Sequence, residues 1–133
     1  MRKGVYFDHT AIVGLLKGNK NLLRIIDEAP AFYTGAHVLA LVCGAEEYMR
    51  EKRFSKERKI PALLSNFKVL EIGKGEAMKA AEIIGSLKAE GKEIMLDEAL
   101  SAAHVLLNGL VFVTSNRELA SKLKKFGIES RVI

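Results

Sequence analysis

The sequence predicts a single α/β domain, an α/β/α sandwich with a central parallel sheet of about five strands. Short apolar, β-rich segments alternate along the chain with longer segments of helical periodicity, which is typical of parallel β-α-β units with right-handed crossovers. The segment 110–113 (Leu-Val-Phe-Val) is apolar at every position, as expected of a strand that helices cover on both faces. A length of 133 residues is that of one domain, so the predicted domain is the whole of 1–133.

The first predicted strand leads directly to an acidic residue. Residues 4–7 are apolar and β-rich, and they end at Asp8. Thr10 follows as the predicted N-cap of a first helix, because a threonine hydroxyl can accept a hydrogen bond from a backbone N–H of the first turn. Apolar residues within 11–16 supply the buried face of this helix, and Gly18 ends it.

The next segments continue the alternation. A second helix is predicted over 21–28 and a second strand over 31–34. A long helix then runs over 36–53, apolar at its start and charged towards its end. A further helix is predicted over 56–66, where Pro61 is tolerated only near the first turn or at a kink.

The second half of the chain shows the same order of elements. A strand is predicted over 67–72, where apolar and polar residues alternate, and the clearest helix follows over 75–91. Another helix over 97–107 precedes the apolar fourth strand. The chain closes with an amphipathic helix over 116–126 and a short strand over 128–133.

Composition and motif content exclude several classes of function. With 49% apolar and 28% charged residues the chain is globular, and its net charge of +5 permits an acidic partner such as nucleic acid. The lone Cys43 excludes an internal disulfide and favours a reducing, cytoplasmic location. No apolar run reaches the ~18 residues that a membrane helix needs, so no membrane contact is expected. Because it has neither a glycine-rich phosphate loop nor histidines at i, i+4, the sequence does not support a nucleotide-binding loop or a zinc protease.

Three carboxylates are predicted at the edge of the sheet where its strands end. Asp8 ends the first strand, and Asp97 and Glu98 open the helix that precedes the fourth. Open α/β sheets bind ligands at this edge, and carboxylate oxygens are the ligands that Mg²⁺ and Mn²⁺ prefer. A structural alternative exists for Asp97 and Glu98, since acids in a first turn commonly complement the helix dipole. Asp8 has fewer structural explanations at the end of a buried strand.

Hydroxyl and amide side chains lie at the same predicted edge. Thr34 ends the second strand, and Thr114 and Asn116 follow the fourth. Such side chains can orient carboxylates by hydrogen bonds, or they can cap helices and do nothing more. The sequence leaves both interpretations open.

Three segments together resemble the PIN domain family, and in particular its VapC-type ribonuclease toxins of bacteria and archaea. The segment 5–19 (VYFDHTAIVGLLKGN) resembles the family's strand–Asp–x–Ser/Thr start. The segment 98–116 (EALSAAHVLLNGLVFVTSN) resembles its Asp-x-x-Ile-Ala-Ala-x-Ala … Val-Thr-x-Asn/Asp segment, and 116–133 its closing helix and strand. The resemblance implies a PIN-like fold and hydrolysis of RNA phosphodiester bonds with Mg²⁺ or Mn²⁺. It also implies a toxin paired with an antitoxin protein, and a homodimer.

The resemblance assigns site residues one by one. It places Asp8 on the family's first metal-binding acid and Thr10 on its hydroxyl. Aligning the alanine pair at 102–103 puts Glu98 at the position of a catalytic Asp, with Asp97 beside it but around 100° away on the helix. Asn116 stands where an acid is usual, a variation that the family shows. The implied catalytic set is Asp8, Glu98, Asp97, Asn116 and Thr114, with Asp8 as the central metal ligand and either Glu98 or Asp97 as the second.

One acid of the family pattern is missing. The segment 39–44 (LALVCG) matches the pattern Ala-Glu-Leu-x-x-Gly, so Ala40 stands where a glutamate is expected. Glu46 and Glu47 follow roughly 9–10 Å further along the helix, and they can replace that ligand only if the helix is displaced. The alternative is that both belong to a solvated charged face with Arg50.

Basic residues are concentrated in two places. The segment 50–59 contains six basic and two acidic residues, and Lys122, Lys124 and Lys125 form a second group. Both could follow an RNA backbone, or they could be ordinary solvated helix faces.

Two interpretations of function remain open. The first is the metal-dependent ribonuclease, and the second is a catalytically impaired PIN fold that acts as an RNA- or protein-binding module. Ala40 favours the second, while Asp8 and the acid pair favour the first. His37 and His104 lie on apolar helical stretches and are expected to be core-edge residues rather than ligands.

Overall fold

The computed structural model describes residues 2–56 and 58–133 and confirms the predicted α/β class. One parallel sheet has five strands in the order β3-β2-β1-β4-β5. The strands are β1 (Val5–Phe7), β2 (Phe32–Gly35), β3 (Lys68–Leu70), β4 (Val111–Thr114) and β5 (Ser130–Val132). The described residues form seven α-helices, namely α1 (His9–Leu16), α2 (Lys20–Glu28), α3 (Ala36–Glu51), α4 (Ile60–Leu63), α5 (Lys74–Ala89), α6 (Leu96–Asn108) and α7 (Arg117–Leu123), and a 3₁₀ turn at Lys124–Phe126.

The strand order determines where a ligand can bind. The chain proceeds from β1 outwards through β2 to β3, then crosses back to place β4 and β5 on the other side of β1. The order therefore reverses between β1 and β4, and the crevice at the carboxyl ends of two such strands is the usual binding site of an open α/β sheet. Asp8 follows β1, and the segment 115–116 follows β4, so both flank this crevice.

The core surrounds the two central strands. All of β1 and β4 is buried, and in β1 the side chains alternate between the two faces of the sheet. Tyr6 contacts Ser101 and His104 of α6, whereas the Phe7 ring packs edge-on against Phe67 at 5.3 Å. Because β1 is buried and paired with β4, the backbone that leads into Asp8 is held in a fixed position.

The structure corrects the start of the first helix. Thr10 was the predicted N-cap, but the helix begins at His9 and its N-cap is Asp8, whose side chain accepts a hydrogen bond from the Ala11 amide. Both residue types are good caps. Asp8 takes the role because β1 ends at Phe7 and the helix begins at His9. Asp8 is thus the last extended residue before the helix.

Two other predicted helices are shorter than expected. Of the described residues in the helix predicted over 56–66, only Ile60–Leu63 is helical. The carboxylate of Glu46 binds the amides of Lys59 and Ile60, and Pro61 follows, so the helix starts there. The last helix tightens into a 3₁₀ turn after Leu123.

Two residues of the predicted domain 1–133, Met1 and Glu57, lie outside the described residues, and Glu57 also belongs to the predicted helix 56–66 and the basic segment 50–59. The extent of the domain stays a prediction. Within 2–56 and 58–133, no helix is both long and apolar enough to cross a membrane.

Candidate acidic site at the carboxyl edge of the sheet

Asp8 is a buried carboxylate held by three hydrogen bonds. Only 4% of the Asp8 residue is exposed to solvent. Oδ1 accepts from the Thr10 hydroxyl at 2.6 Å and from the Ala11 amide at 2.9 Å, and Oδ2 accepts from the Thr114 hydroxyl at 2.6 Å. A carboxylate with donors on both oxygens is fixed in orientation.

The two threonines link the ends of β1 and β4 around this carboxylate. Each hydroxyl has a single proton and gives it to Asp8, so the 3.3 Å contact between the two hydroxyl oxygens carries no further hydrogen bond. Each hydroxyl oxygen also accepts from a backbone amide of the β4–α7 loop, Thr10 from Ser115 at 2.9 Å and Thr114 from Asn116 at 3.0 Å. Asp8, Thr10 and Thr114 thus form one rigid unit, called here the Asp8 cradle.

Glu98 has a structural role that the sequence left open. Its Oε1 accepts from the Met95 amide at 2.9 Å, which is the capping box of α6, and its Oε2 accepts from Asn116 Nδ2 at 3.4 Å. Asn116 in turn caps α7 through its Oδ1, which accepts from the Leu119 amide at 3.0 Å. Both residues therefore cap helices, and the contact between them joins the start of α6 to the β4–α7 loop.

Asp97 is the acid of the pair with the freer carboxylate. Its side chain is 25% exposed, and among the described residues its nearest ionic partner is His9, at 3.9 Å from Oδ2 to Nδ1. Its backbone carbonyl, by contrast, accepts from His37 Nε2 at 3.1 Å. Asp97 therefore keeps both carboxylate oxygens available while its main chain is fixed.

A large cleft joins these groups. It has a volume of about 1060 Å³, and its polar wall includes His9, Thr10, Asp97, Glu98 and Asn116. Asp8 and Thr114 lie directly behind this wall, in contact with Thr10 and Asn116. The structure thus brings together all five predicted catalytic residues. The strand-end residue Thr34 is not among them, because it is buried and its hydroxyl donates to the Phe7 carbonyl at 2.8 Å.

The rest of the cleft lining, called here its apolar wall, is mainly apolar, with Glu46, Ser55 and Lys59 as its polar members. The helices α1, α3 and α4 and the start of α6 line it with Val13, Leu16, Leu41, Val42, Ala45, Met49, Ile60, Met95 and Leu96. Several of these side chains are exposed, with Met95 67% and Leu96 65% accessible. A contiguous exposed apolar surface of this kind marks an interaction site.

The two glutamates further along α3 are both engaged by other groups, although Glu46 also lines the cleft. Position 40 of α3 is an exposed alanine, which offers no carboxylate. Glu46 caps α4 through the amides of Lys59 and Ile60. Glu47 pairs with Arg58 at 2.8 Å and Arg50 at 3.0 Å, and the Arg58 hydrogen bond holds the pKa of Glu47 below its usual value.

Within the described ranges, no three His, Cys, Asp or Glu side chains are grouped closely enough to hold a metal ion. The donor chemistry at the edge of the sheet is nevertheless that of a hard cation, because Asp8, Asp97 and Glu98 offer carboxylate oxygens there. The residues present fit a weakly held Mg²⁺ or Mn²⁺ that keeps much of its water shell, and they do not fit a tightly caged ion.

A buried polar network behind the acids was missed by the sequence analysis. Tyr6, Ser101 and His104 are at most 2% exposed, and half-buried His37 joins them. The hydroxyl of Tyr6 lies 3.0 Å from Ser101 Oγ and 3.2 Å from His104 Nδ1. His37 Nε2 lies 3.0 Å from Ser101 Oγ, and His104 Nε2 lies 3.0 Å from the Glu71 carbonyl.

Burial changes the acidity of these groups. It raises the pKa of Tyr6 and lowers the pKa of His37 and His104, and the neighbouring His104 lowers that of His37 further. The two histidines are therefore neutral members of a buried hydrogen-bond network. The only signal in the sequence was the i, i+3 spacing of Ser101 and His104, which puts both on one face of α6.

The basic segment 50–59 is partly neutralised. Arg50 and Arg58 pair with Glu47, and Lys52 lies over the Tyr48 ring at 6.0 Å. Arg53 has a positive φ of 60°, and the Phe54 side chain beside it is 69% exposed. In the second basic group, Lys125 pairs with Glu90 at 2.6 Å and Lys122 with Glu118 at 3.4 Å.

Comparison with known proteins gives a family and a fold. A family model described as "PIN domain" matches residues 5–125. No curated protein matches. A structure of DNA-bound VapBC from Salmonella typhimurium is 20% identical with a TM-score of 0.79, and the alignment covers 99% of this chain and 98% of that one.

Two other solved structures are similar over their whole length. VapBC-1 from nontypeable Haemophilus influenzae is 17% identical with a TM-score of 0.73, covering 97% of both chains. VapBC2 from Rickettsia felis, bound to a DNA fragment from its promoter, is 16% identical with a TM-score of 0.72, covering 98% of both chains. At these identities the likeness is one of fold.

Proposed function

This chain belongs to the PIN domain family, and from that premise we propose that it is a metal-dependent ribonuclease and the toxin half of a toxin–antitoxin pair. The observation that carries the proposal is the Asp8 cradle. A buried carboxylate oriented by two hydroxyls, with Asp97, Glu98 and Asn116 at the same edge of the sheet, is more than a helix cap requires.

The proposed metal ligands are Asp8 and either Asp97 or Glu98, of which Asp97 offers the freer carboxylate. When bound there, Mg²⁺ or Mn²⁺ would acidify a water molecule and neutralise charge on the phosphoryl oxygens. Two or three carboxylates suffice for a hydrated Mg²⁺, but the absence of an acid at Ala40 makes the expected affinity low.

The chain's own residues would then orient the reacting groups. Thr10 and Thr114 hold the Asp8 carboxylate in one rotamer, so that its one remaining lone pair, on Oδ2, points in a fixed direction. Asn116 Nδ2 fixes Glu98 Oε2 in the same way. His9 lines the cleft beside Asp97 and is placed to approach the phosphate of a bound strand.

The second candidate function is an RNA- or protein-binding module without catalysis. Two observations favour it: α3 supplies no carboxylate at Ala40, and Glu98 is already engaged in a capping box. Both functions use the same cleft, and they differ in whether the cleft binds a metal and cleaves.

The two functions are separated by comparing Asp8→Asn with Asp27→Asn. Asparagine is as good an N-cap as aspartate, so Asp8→Asn removes the charge while α1 keeps its cap. Asp27 is exposed at the end of α2, away from the cleft, and controls for the loss of one acid. We expect the parent and Asp27→Asn proteins to cleave single-stranded RNA in Mn²⁺ and to bind Mn²⁺ by calorimetry.

For the Asp8→Asn variant we expect cleavage to fall to background. If the parent neither cleaves RNA nor binds Mn²⁺ yet still binds RNA, the nuclease proposal fails and the binding-module function stands. Equal cleavage by both variants would also contradict the proposal, because the cradle would then be structural only.

We further propose that the apolar wall of the cleft binds the antitoxin. The similar solved structures include toxin–antitoxin complexes, and this wall adjoins the acidic site, so a bound segment would cover both. Leu41 lies in the wall and Leu107 on the far end of α6, and each is 47% exposed. Leu41→Asp and Leu107→Asp are therefore matched for exposure.

Where a small reading frame lies immediately upstream of the gene, its product is the partner to test, and the absence of such a frame counts against the antitoxin. Co-expression should give a complex with the Leu107→Asp variant and a much weaker one with Leu41→Asp. Equal binding by both variants would place the partner elsewhere. We also propose a homodimer, for which sedimentation equilibrium should give twice the chain mass of 14.7 kDa, and a cytoplasmic location.

A further inference from the structure

Two backbone carbonyls determine which atom is the donor in each hydrogen bond of the buried network. A backbone carbonyl only accepts, so His37 Nε2 must donate to the Asp97 carbonyl and His104 Nε2 must donate to the Glu71 carbonyl. These bonds place the ring proton of each neutral imidazole on Nε2, which leaves Nδ1 as the acceptor nitrogen.

The remaining protons then have one consistent assignment. His104 Nδ1 must accept, so the Tyr6 hydroxyl donates to it at 3.2 Å. The Ser101 hydroxyl donates to the Tyr6 oxygen at 3.0 Å, and its own oxygen accepts from His37 Nε2 at 3.0 Å. Every donor in the network thus has an acceptor, and the single polar atom left without a partner is His37 Nδ1.

His37 is the member of this network that touches the acidic site. It shares its Nε2 proton between Ser101 Oγ and the carbonyl of Asp97, which lies in the first turn of α6. It is in the first turn of α3, three residues before Ala40 and on the same face of that helix. Helix α3 therefore reaches the site through a histidine donor, while its position 40 carries no carboxylate.

We propose that His37 is a positioning residue that fixes Asp97 for metal binding, an inference that rests on the proposed metal-dependent function. Glu98 and Asp8 are held by hydrogen bonds to their own carboxylates, whereas the Asp97 carboxylate has no such bond among the described residues. Its position depends on its backbone, and His37 is the side chain that holds that backbone against α3. Outer groups of this kind commonly change metal affinity about 10–100-fold when they are removed.

The test compares His37→Leu with His104→Leu and with the conservative His37→Gln. His104 belongs to the same buried network but contacts Tyr6 and Glu71 rather than Asp97, so His104→Leu controls for damage to the network. A glutamine amide can reach the Asp97 carbonyl with an N–H, so His37→Gln should restore the bond. Mn²⁺ affinity by calorimetry, amide hydrogen exchange in the first turn of α6 and urea stability are measured for each protein.

We expect His37→Leu to weaken Mn²⁺ binding about 10-fold or more and to speed amide exchange at 97–101 in the metal-free protein. His104→Leu should lose stability yet keep its Mn²⁺ affinity within about 3-fold, and His37→Gln should bind like the parent. If His37→Leu does not fold, failure of His37→Gln to bind Mn²⁺ like the parent would overturn the inference.

The two proposals fail in different ways. Equal Mn²⁺ affinity in the parent and His37→Leu, or an equal loss in His104→Leu, overturns the positioning role and leaves the ribonuclease proposal intact. A parent that binds no Mn²⁺ overturns both.

Discussion

Replacing Gly35 by alanine is expected to destabilise the protein, whereas the same replacement at Gly44 should stabilise it. Gly35 precedes α3 with φ −99° and ψ 153°, an extended conformation that alanine adopts without strain. The difficulty is space. An added Cβ would lie 2.5 Å from the Tyr6 hydroxyl oxygen and 2.6 Å from Cε1 of His37.

The magnitude follows from the movement that this contact demands. An ordinary contact of 3.4 Å requires the Tyr6 oxygen to retreat by 3.4 − 2.5 = 0.9 Å. Tyr6 is fully buried, and its hydroxyl is bonded to Ser101 and His104, so the shift strains the packing by about 1–3 kcal/mol and weakens a buried hydrogen bond by about 1 kcal/mol. The expected loss is therefore about 2–4 kcal/mol.

Gly44 provides the matched control within the same helix. It lies in the interior of α3, and a Cβ there would meet nothing within 4 Å. Alanine at that position should add about 0.5–1 kcal/mol through helix propensity alone. Urea unfolding followed by circular dichroism measures both changes, with the m value checked for constancy. A Gly35→Ala protein as stable as the parent would refute the idea that the network is rigid.

Three further predictions follow from burial and charge. Burial lowers the pKa of His37 and His104, so the protein should lose stability as pH falls below ~6.5, where the unfolded chain takes up protons that the folded state excludes. A urea midpoint that stays constant between pH 7.5 and 5 would contradict this. Burial raises the pKa of the Cys43 thiol, so iodoacetamide should label the native protein at pH 7.5 more slowly than the urea-unfolded protein. Equal labelling rates would contradict the burial of this thiol on α3. In the Asp8→Asn background, the double replacement Arg53→Ala and Lys56→Ala tests whether these two residues bind RNA phosphates. If they do, the slope of the logarithm of the RNA-binding constant against the logarithm of the salt concentration should become shallower by about 1.4. An unchanged slope would exclude both residues as phosphate contacts.

The sequence predicted the elements that depend on local pattern. The five strands and the long helices follow from apolar periodicity, and all five predicted catalytic residues meet at one edge because parallel strands end on the same side of a sheet. The helix caps were harder. Asp8 and Thr10 are both good caps, and the choice between them depends on where β1 ends, which pairing with β2 and β4 decides.

The buried network could not be read from the sequence, because it depends on long-range packing. Tyr6 and His104 are 98 residues apart, and His37 and Ser101 are 64 apart. No local pattern indicates that a histidine at the start of α3 faces a serine on α6. The shortened helix α4 has a similar cause, since the capping carboxylate of Glu46 comes from another helix 14 residues earlier.

The Asp8 cradle also has a consequence for the newly made protein. The bond between Asp8 and Thr114 spans 106 residues, and β1 acquires its neighbour β4 only when residues 111–114 have been synthesised. A nascent chain that has emerged as far as α6 thus carries Asp8, Asp97 and Glu98 but not the partner strand that completes the cradle. Contacts so distant along the chain form late in folding. The acidic site therefore assembles only as synthesis of the chain nears its end, so no shorter nascent chain carries the complete site.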